Sequence, residues 1–365
     1  MGFTNQREMM QIVTTQRIRM ITFLFLLLCV RLNSQEFYIT PDGETIYYES
    51  PRVLYAATPK PEEKRYTVYL SHGKRNDKTL NPGGIWVDRR DRVFISEKDR
   101  GVIRIFDAKG RFRREAGPEE NDKMKKFAPA DFALTLYGDI ITYNRTRNNL
   151  AVLGSHGHYR GVLDIPKENK ETMESFGGIA VSPLDSMIFV LDTEQSRVHC
   201  FNFRGEYQYS WGEFGENPGQ LNHPSDISAS RSGEVLVADT QNQRVCVFQQ
   251  DGKFLRLLTP RIKGVPENIF TFPSSIAVSR EGVTAVADHD GRRIRIFTEF
   301  GLKLGTVEFK QTKGNIPEAR VADMAFDSLG CLYVIDSVEN RVLKIYPHMF
   351  GKVSKTPALP ETGDQ

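Results

Sequence analysis

One acidic or amide side chain recurs along this chain, at Glu97, Asn144, Asp192, Asp239, Asp288 and Asp336, with gaps of 47, 48, 47, 49 and 48 residues. In the fullest copy, Gly233 to Phe248, two alternating apolar runs, Val235 to Ala238 and Val245 to Phe248, flank the polar stretch Asp239 to Gln243. Period-two alternation around a polar cluster predicts a hairpin. Upstream of each anchor lies another short strand: Gly84 to Val87, Asp131 to Leu134, Gly178 to Val181, Asp226 to Ala229, Ser275 to Val278 and Asp323 to Phe326. Downstream, Gly110, Gly157, Gly205, Gly252 and Gly301 each lead a fourth strand. One such sheet cannot bury both its faces alone, and radial stacking of copies solves the problem. The sequence therefore predicts an all-β chain folded as a six-bladed β-propeller of four-stranded antiparallel blades. The sixth copy lacks a fourth strand after Val342 to Tyr346, and Arg65 to Leu70 is a lone strand ahead of the first copy. An N-terminal strand is thus expected to close the ring, which removes exposed sheet edges.

The propeller is expected over 65–347. Residues 1–34 read as a signal peptide or leader, 35–64 as an extension holding a hairpin around Pro41-Asp42-Gly43, and 348–365 as a disordered tail. The apolar run Met20 to Val30 follows Arg17 and Arg19 and spans 11 residues, short of the roughly 20 a membrane helix needs. The mature chain is expected to have no membrane span. Residues 1–34 hold four arginines and one glutamate, so the chain's formal charge of +3 resides there and the remainder is neutral. A neutral body does not steer toward nucleic acid by its overall field. Cys200, Cys246 and Cys331 form no Cys-x-x-Cys motif and read as small buried residues. The sequon Asn144-Arg145-Thr146 would make Asn144 a glycosylation acceptor in a secreted chain.

These repeats resemble the NHL family. The fourth copy carries the likeness best, in His223-Pro224 followed by Asp226 to Ala229, and then in Asp239, Thr240, Asn242 and Arg244 with Val245 to Phe248. The third, fifth and sixth copies follow with Asp192/Arg197, Asp288/Arg293 and Asp336/Arg341; the first and second depart, with Glu97/Val102 and Asn144/Asn149. The resemblance covers about 65–347 and speaks to fold more than to function. An Asp and an Arg five residues apart straddle a tight turn, so the pairs Asp192/Arg197, Asp239/Arg244, Asp288/Arg293 and Asp336/Arg341 are expected to fasten each blade.

Among candidate sites, Lys98, Arg100, Arg145, Arg147 and Arg292 fall in turns between second and third strands, and are expected to share one binding face. Asp131, Asp226 and Asp323 begin inner strands at equivalent phases and are weak candidates for a cation at the channel mouth. The seven histidines fall at different phases, and no cofactor motif, Gly-x-Ser-x-Gly or His-Glu-x-x-His is present. Catalysis is disfavoured and no cofactor is expected. These features favour a secreted or lumenal, monomeric propeller that binds a protein or peptide. The NHL resemblance implies two alternatives. One is a cytoplasmic adaptor for substrate recognition in protein ubiquitination, or for RNA, like the TRIM-NHL proteins but without RING or B-box. The other is a metal-dependent propeller lyase or esterase.

Overall fold

The computed structural model describes the backbone of 35–39, 45–49 and 67–70, and residues 81–117, 127–144, 149–163, 175–258, 269–288, 291–309, 319–347 and 350 in full. Arg145, Arg147, the leader and all of the tail except Phe350 lie outside the described residues. The chain divides into units 1–61 and 62–365. The first contains the antiparallel pair Gln35–Ile39 and Thr45–Glu49. The second is a six-bladed propeller of four-stranded antiparallel sheets, and no α-helix occurs among the described residues.

Blade 1 runs from its inner strand Pro82–Val87 through Val93–Glu97 and Val102–Phe106 to the outer strand Phe112–Ala116. Blades 2 to 5 repeat this order, with inner strands Pro129–Leu134, Phe176–Val181, Asp226–Ala229 and Ser275–Val278. Blade 6 comprises Val321–Phe326, Leu332–Asp336 and Arg341–Ile345, with Thr67–Leu70 hydrogen-bonded beside the last of these. Each inner strand neighbours the inner strands of the two adjacent blades, the sixth lying beside the first.

The core is a set of six apolar clusters, each sandwiched between two blades. Period-two alternation divides each middle strand between two of them. In blade 4, Val235, Val237, Cys246 and Phe248 face blade 3, while Leu236, Ala238, Val245 and Val247 face blade 5. Such strands must be apolar at both parities, which is why the second and third strands carry the clearest sequence signal. Phe248 is fully buried with its ring 4.8 Å from that of Trp211, a burial worth about 2–3 kcal/mol. Phe350, expected in the tail, is buried in the cluster between blades 5 and 6, so the folded unit extends past 347.

Glycine leads the outer strand because the preceding turn is left-handed. Gly252 has φ +87° and sits against the Trp211 ring of blade 3, where a β-carbon would collide.

Candidate functional site

The recurring acid or amide at the end of each second strand does one job six times. It accepts the backbone amide of the segment that enters its own blade: Asn81 N to Glu97 at 3.1 Å, Ala128 N to Asn144 at 3.2 Å and Ser175 N to Asp192 at 3.2 Å. Asn222 N reaches Asp239 at 2.7 Å, Thr271 N reaches Asp288 at 2.8 Å and Arg320 N reaches Asp336 at 3.1 Å. Glu97 and Asn144 depart from the repeat in identity and keep this role, both almost completely buried. Asn144, expected from the sequence to be a glycan acceptor, has its side chain buried, and the rest of its sequon lies outside the described residues.

Arginine completes the clamp. Arg244 Nε donates to Asp239 Oδ2 at 2.7 Å, and its other nitrogens reach the carbonyls of Glu216, Asn217 and Gln220. Arg341 Nε reaches Asp336 Oδ2 at 2.8 Å. In blade 3, Arg197 stands opposite Asp192 in the ladder and its Nε points to the Gly212 carbonyl at 3.4 Å. In blade 5 the expected partner is corrected: Asp288 Oδ2 takes Arg295 Nε at 2.8 Å, not Arg293. A step of two residues keeps a side chain on the same face of a strand, so Arg295 substitutes for Arg293. Blade 1 makes the same step, with the Arg104 charge favouring the Glu97 carboxylate where position 102 is valine.

At the axis, the residue preceding the first inward apolar position alternates around the ring: Gly84, Asp131, Gly178, Asp226, Ser275, Asp323. Each aspartate bridges to the following blade. Asp131 accepts the amides of Phe132 (2.7 Å) and Ile179 (3.2 Å). Asp226 accepts those of Ile227 and Ile276, and Asp323 those of Met324 and Ile85, all at 2.7 Å. Small neighbours are required, because a β-carbon on Gly178 would stand 2.6 Å from Asp226 Oδ1, and one on Gly84 3.0 Å from Asp131 Oδ1. Burial raises all three carboxyls above the ordinary carboxylate range, and the nearby Asp323 charge adds to this at Asp131 and Asp226. Both oxygens of each aspartate are thus engaged by the backbone. Among the described residues no three His, Cys, Asp or Glu side chains are placed to hold a metal ion.

Above these carboxylates the inner strands enclose a cavity of about 720 Å³, within the range of about 300–1,000 Å³ common for ligand sites. Its rim is built from the turns that join first to second strands. Every one of these turns is capped by its own side chain. Asp88 Oδ1 accepts Arg90 N and Arg92 N, Thr135 Oγ1 accepts Asp139 N, and Ser182 Oγ accepts Leu184 N. Ser230 Oγ accepts Glu234 N, Ser279 Oγ accepts Glu281 N and Val283 N, and Asp327 Oδ1 accepts Leu329 N and Cys331 N. Arg89, Arg90, Arg92, Arg114 and Arg280 line the cavity with Leu136 and Tyr137, and Tyr137 is 69% exposed. In the sequence these turns are marked by the Asp, Thr or Ser that follows each inner strand.

Of the basic residues singled out from sequence, Lys98, Arg100 and Arg292 do not line the cavity. Arg100 pairs with Glu115 at 2.8 Å, Lys98 contributes charge near Asp323, and Arg292 is half-buried. Cys200, Cys246 and Cys331 are buried free thiols, each pushed up to about 12 chiefly by burial.

Residues 221–248 match the family model described as NHL repeat. Over 48 residues the chain is 42% identical to the B-box type zinc finger protein ncl-1 of Caenorhabditis elegans, a match covering 13% of this chain and 6% of that protein. It is 45% identical over 53 residues to the RING finger protein nhl-1 of the same organism, covering 14% and 5%. The protein brain tumor of Drosophila melanogaster is 38% identical over 48 residues, covering 13% and 5%. The chain thus spans a small fraction of these relatives' length. Among solved structures, a streptogramin B lyase superposes with a TM-score of 0.53 at 15% identity, covering 76% of this chain and 96% of that one. The WD40 repeats of RRP9 give 0.53 at 10% identity, covering 77% and 99%. At such identities these two likenesses concern fold alone.

Proposed function

We propose that this NHL-like β-propeller is a binding module that takes a protein or peptide segment at the cavity rim formed by the first hairpins. The observation that carries this reading is the concave site itself. Side-chain-capped turns of five blades line it, and the rim turns present exposed arginine, leucine and tyrosine side chains where a mere scaffold has no need of them. An exposed aromatic beside guanidinium groups is the composition of interface anchors. The leader-like segment 1–34 supports a secretory setting for this binding. A second reading, an intracellular adaptor for ubiquitination, is favoured by the short matches to RING and B-box proteins; the mature N-terminus and compartment of the natural protein separate the two.

Selection of a random-peptide display library on the full chain tests the binding reading. Peptides are expected to be enriched, and to lose about tenfold in affinity on the double variant Tyr137→Ala/Leu184→Ala. Absence of enrichment, or binding that survives this variant and disappears with Arg100→Glu/Arg292→Glu, would overturn it.

A further inference from the structure

We infer that the segment bound at this rim is acidic: a peptide whose Asp or Glu carboxylates meet the rim arginines while an apolar side chain packs beside Tyr137. The inference rests on the binding reading above and adds the ligand's chemistry.

Five guanidinium groups converge on one cavity. Arg92 pairs with Asp88 at 2.6 Å. Arg89, Arg90, Arg114 and Arg280 make no ion pair with any described residue. Arg89, Arg90 and Arg280 are exposed and could be solvated singly; Arg114 is different. It is half-buried, it donates to the Ser155 carbonyl at 2.7 Å, and it stands close enough to Arg92 to feel its charge. Holding like charges together in a concave, partly dry site costs free energy and focuses a positive field into the cavity. An incoming carboxylate would recover that cost through forked, charge-assisted hydrogen bonds.

The neighbouring acids do not already fill this role. Asp91 is taken by the amide and hydroxyl of Ser328 (2.8 and 2.7 Å), and Asp139 by Arg160 (2.7 Å). The axial aspartates are occupied by six backbone amides at the start of the inner strands. The rim also carries Leu136, and the adjoining turns carry Leu184 and Leu329, 63% and 66% exposed. Leu136, Leu184 and Leu329 give no flat surface for base stacking. A peptide bearing both acidic and apolar side chains fits the two features together.

The test takes the tightest peptide recovered from the library and a copy with every Asp and Glu replaced by its amide. Both are titrated by fluorescence anisotropy against the full chain and against Arg89→Gln/Arg90→Gln/Arg280→Gln, whose three sites are exposed and whose melting temperature serves as a folding control. Acidic residues are expected in the recovered peptide. The amide copy and the arginine variant should each weaken binding by about tenfold, and binding should fall between about 50 and 200 mM salt. A recovered peptide without acids, or an amide copy that binds equally and still depends on Tyr137, overturns the acidic ligand and leaves the binding module standing. An empty selection removes both. A labelled single-stranded RNA that binds more tightly than the peptide, with the same arginine dependence, reassigns the rim to nucleic acid.

Discussion

Asp323 of blade 6 accepts the backbone amide of Ile85 in blade 1 at 2.7 Å, joining residues 238 positions apart in the chain. The same carboxylate takes the amide of Met324, so one side chain serves both the end and the beginning of the ring. Asp323→Ala would leave two amides at the seam without acceptors. The expected loss is about 2–4 kcal/mol, read from the urea midpoint. A loss below about 0.5 kcal/mol, the range of an ordinary surface change, would falsify this role.

The axial carboxylates should make stability fall as pH rises from about 4 to about 8. Asp226 is pushed up to about 8 and Asp323 to about 7, both from 3.8 and chiefly by burial. Between the unfolded and folded values the folded chain holds protons that the unfolded chain has released. Their contribution is therefore complete below about pH 4 and lost as pH rises through about 7 to 8. Asp226→Asn is expected to flatten the decline in melting temperature between about pH 4 and 8. An unchanged slope in the variant would show that the titrating groups lie elsewhere.

In blade 5 the two arginines should behave differently. Arg295→Gln removes the partner of a fully buried carboxylate and is expected to cost about 2–4 kcal/mol. Arg293→Gln, at the position named by the repeat, should cost about 0.5 kcal/mol or less. Chemical denaturation of the two variants in parallel decides between them, and equal losses would contradict the geometry.

Gly252→Ala combines a left-handed backbone with a clash against Trp211. A cost of about 1–3 kcal/mol is expected, together with a change in the Trp211 fluorescence environment. Ser232→Ala, in an exposed turn of the same blade, is the control and should be nearly silent.

Thr67–Leu70 lies alongside Arg341–Ile345, and we propose that this pairing closes the ring. A chain truncated through residue 70 is then expected to unfold about 5–10 °C lower and to self-associate through the bared edge. Equal melting temperatures for the full and truncated chains would assign closure to the apolar and polar contacts between blades 1 and 6 instead.

Blade number and strand order were legible because strands buried on both faces leave a dense apolar pattern, and Asp239 with Arg244 marks the turn between two of them. The departures were harder to read. Glu97 and Asn144 look like lost function as letters, yet either can accept a backbone amide at that place. Arg295 was missed because a fixed spacing of five hides the second position on the same strand face. The alternation of Gly84, Asp131, Gly178, Asp226, Ser275 and Asp323 is visible in the sequence, but its meaning depends on how closely inner strands approach around an axis. The rim arginines carry no periodic signal. Which end of the inner strands opens into a cavity depends on how the blades splay, and local pattern does not encode that.

The capped turns have an evolutionary consequence. Asp88, Thr135, Ser182, Ser230, Ser279 and Asp327 secure the loop backbones from the root, which leaves tip residues such as Arg89, Tyr137, Leu184 and Leu329 with little part in folding. Sequence can drift at those tips without endangering the ring. A lineage could therefore exchange one partner for another by rewriting one or two positions per blade, and a designer could graft a chosen recognition pattern onto the same six roots.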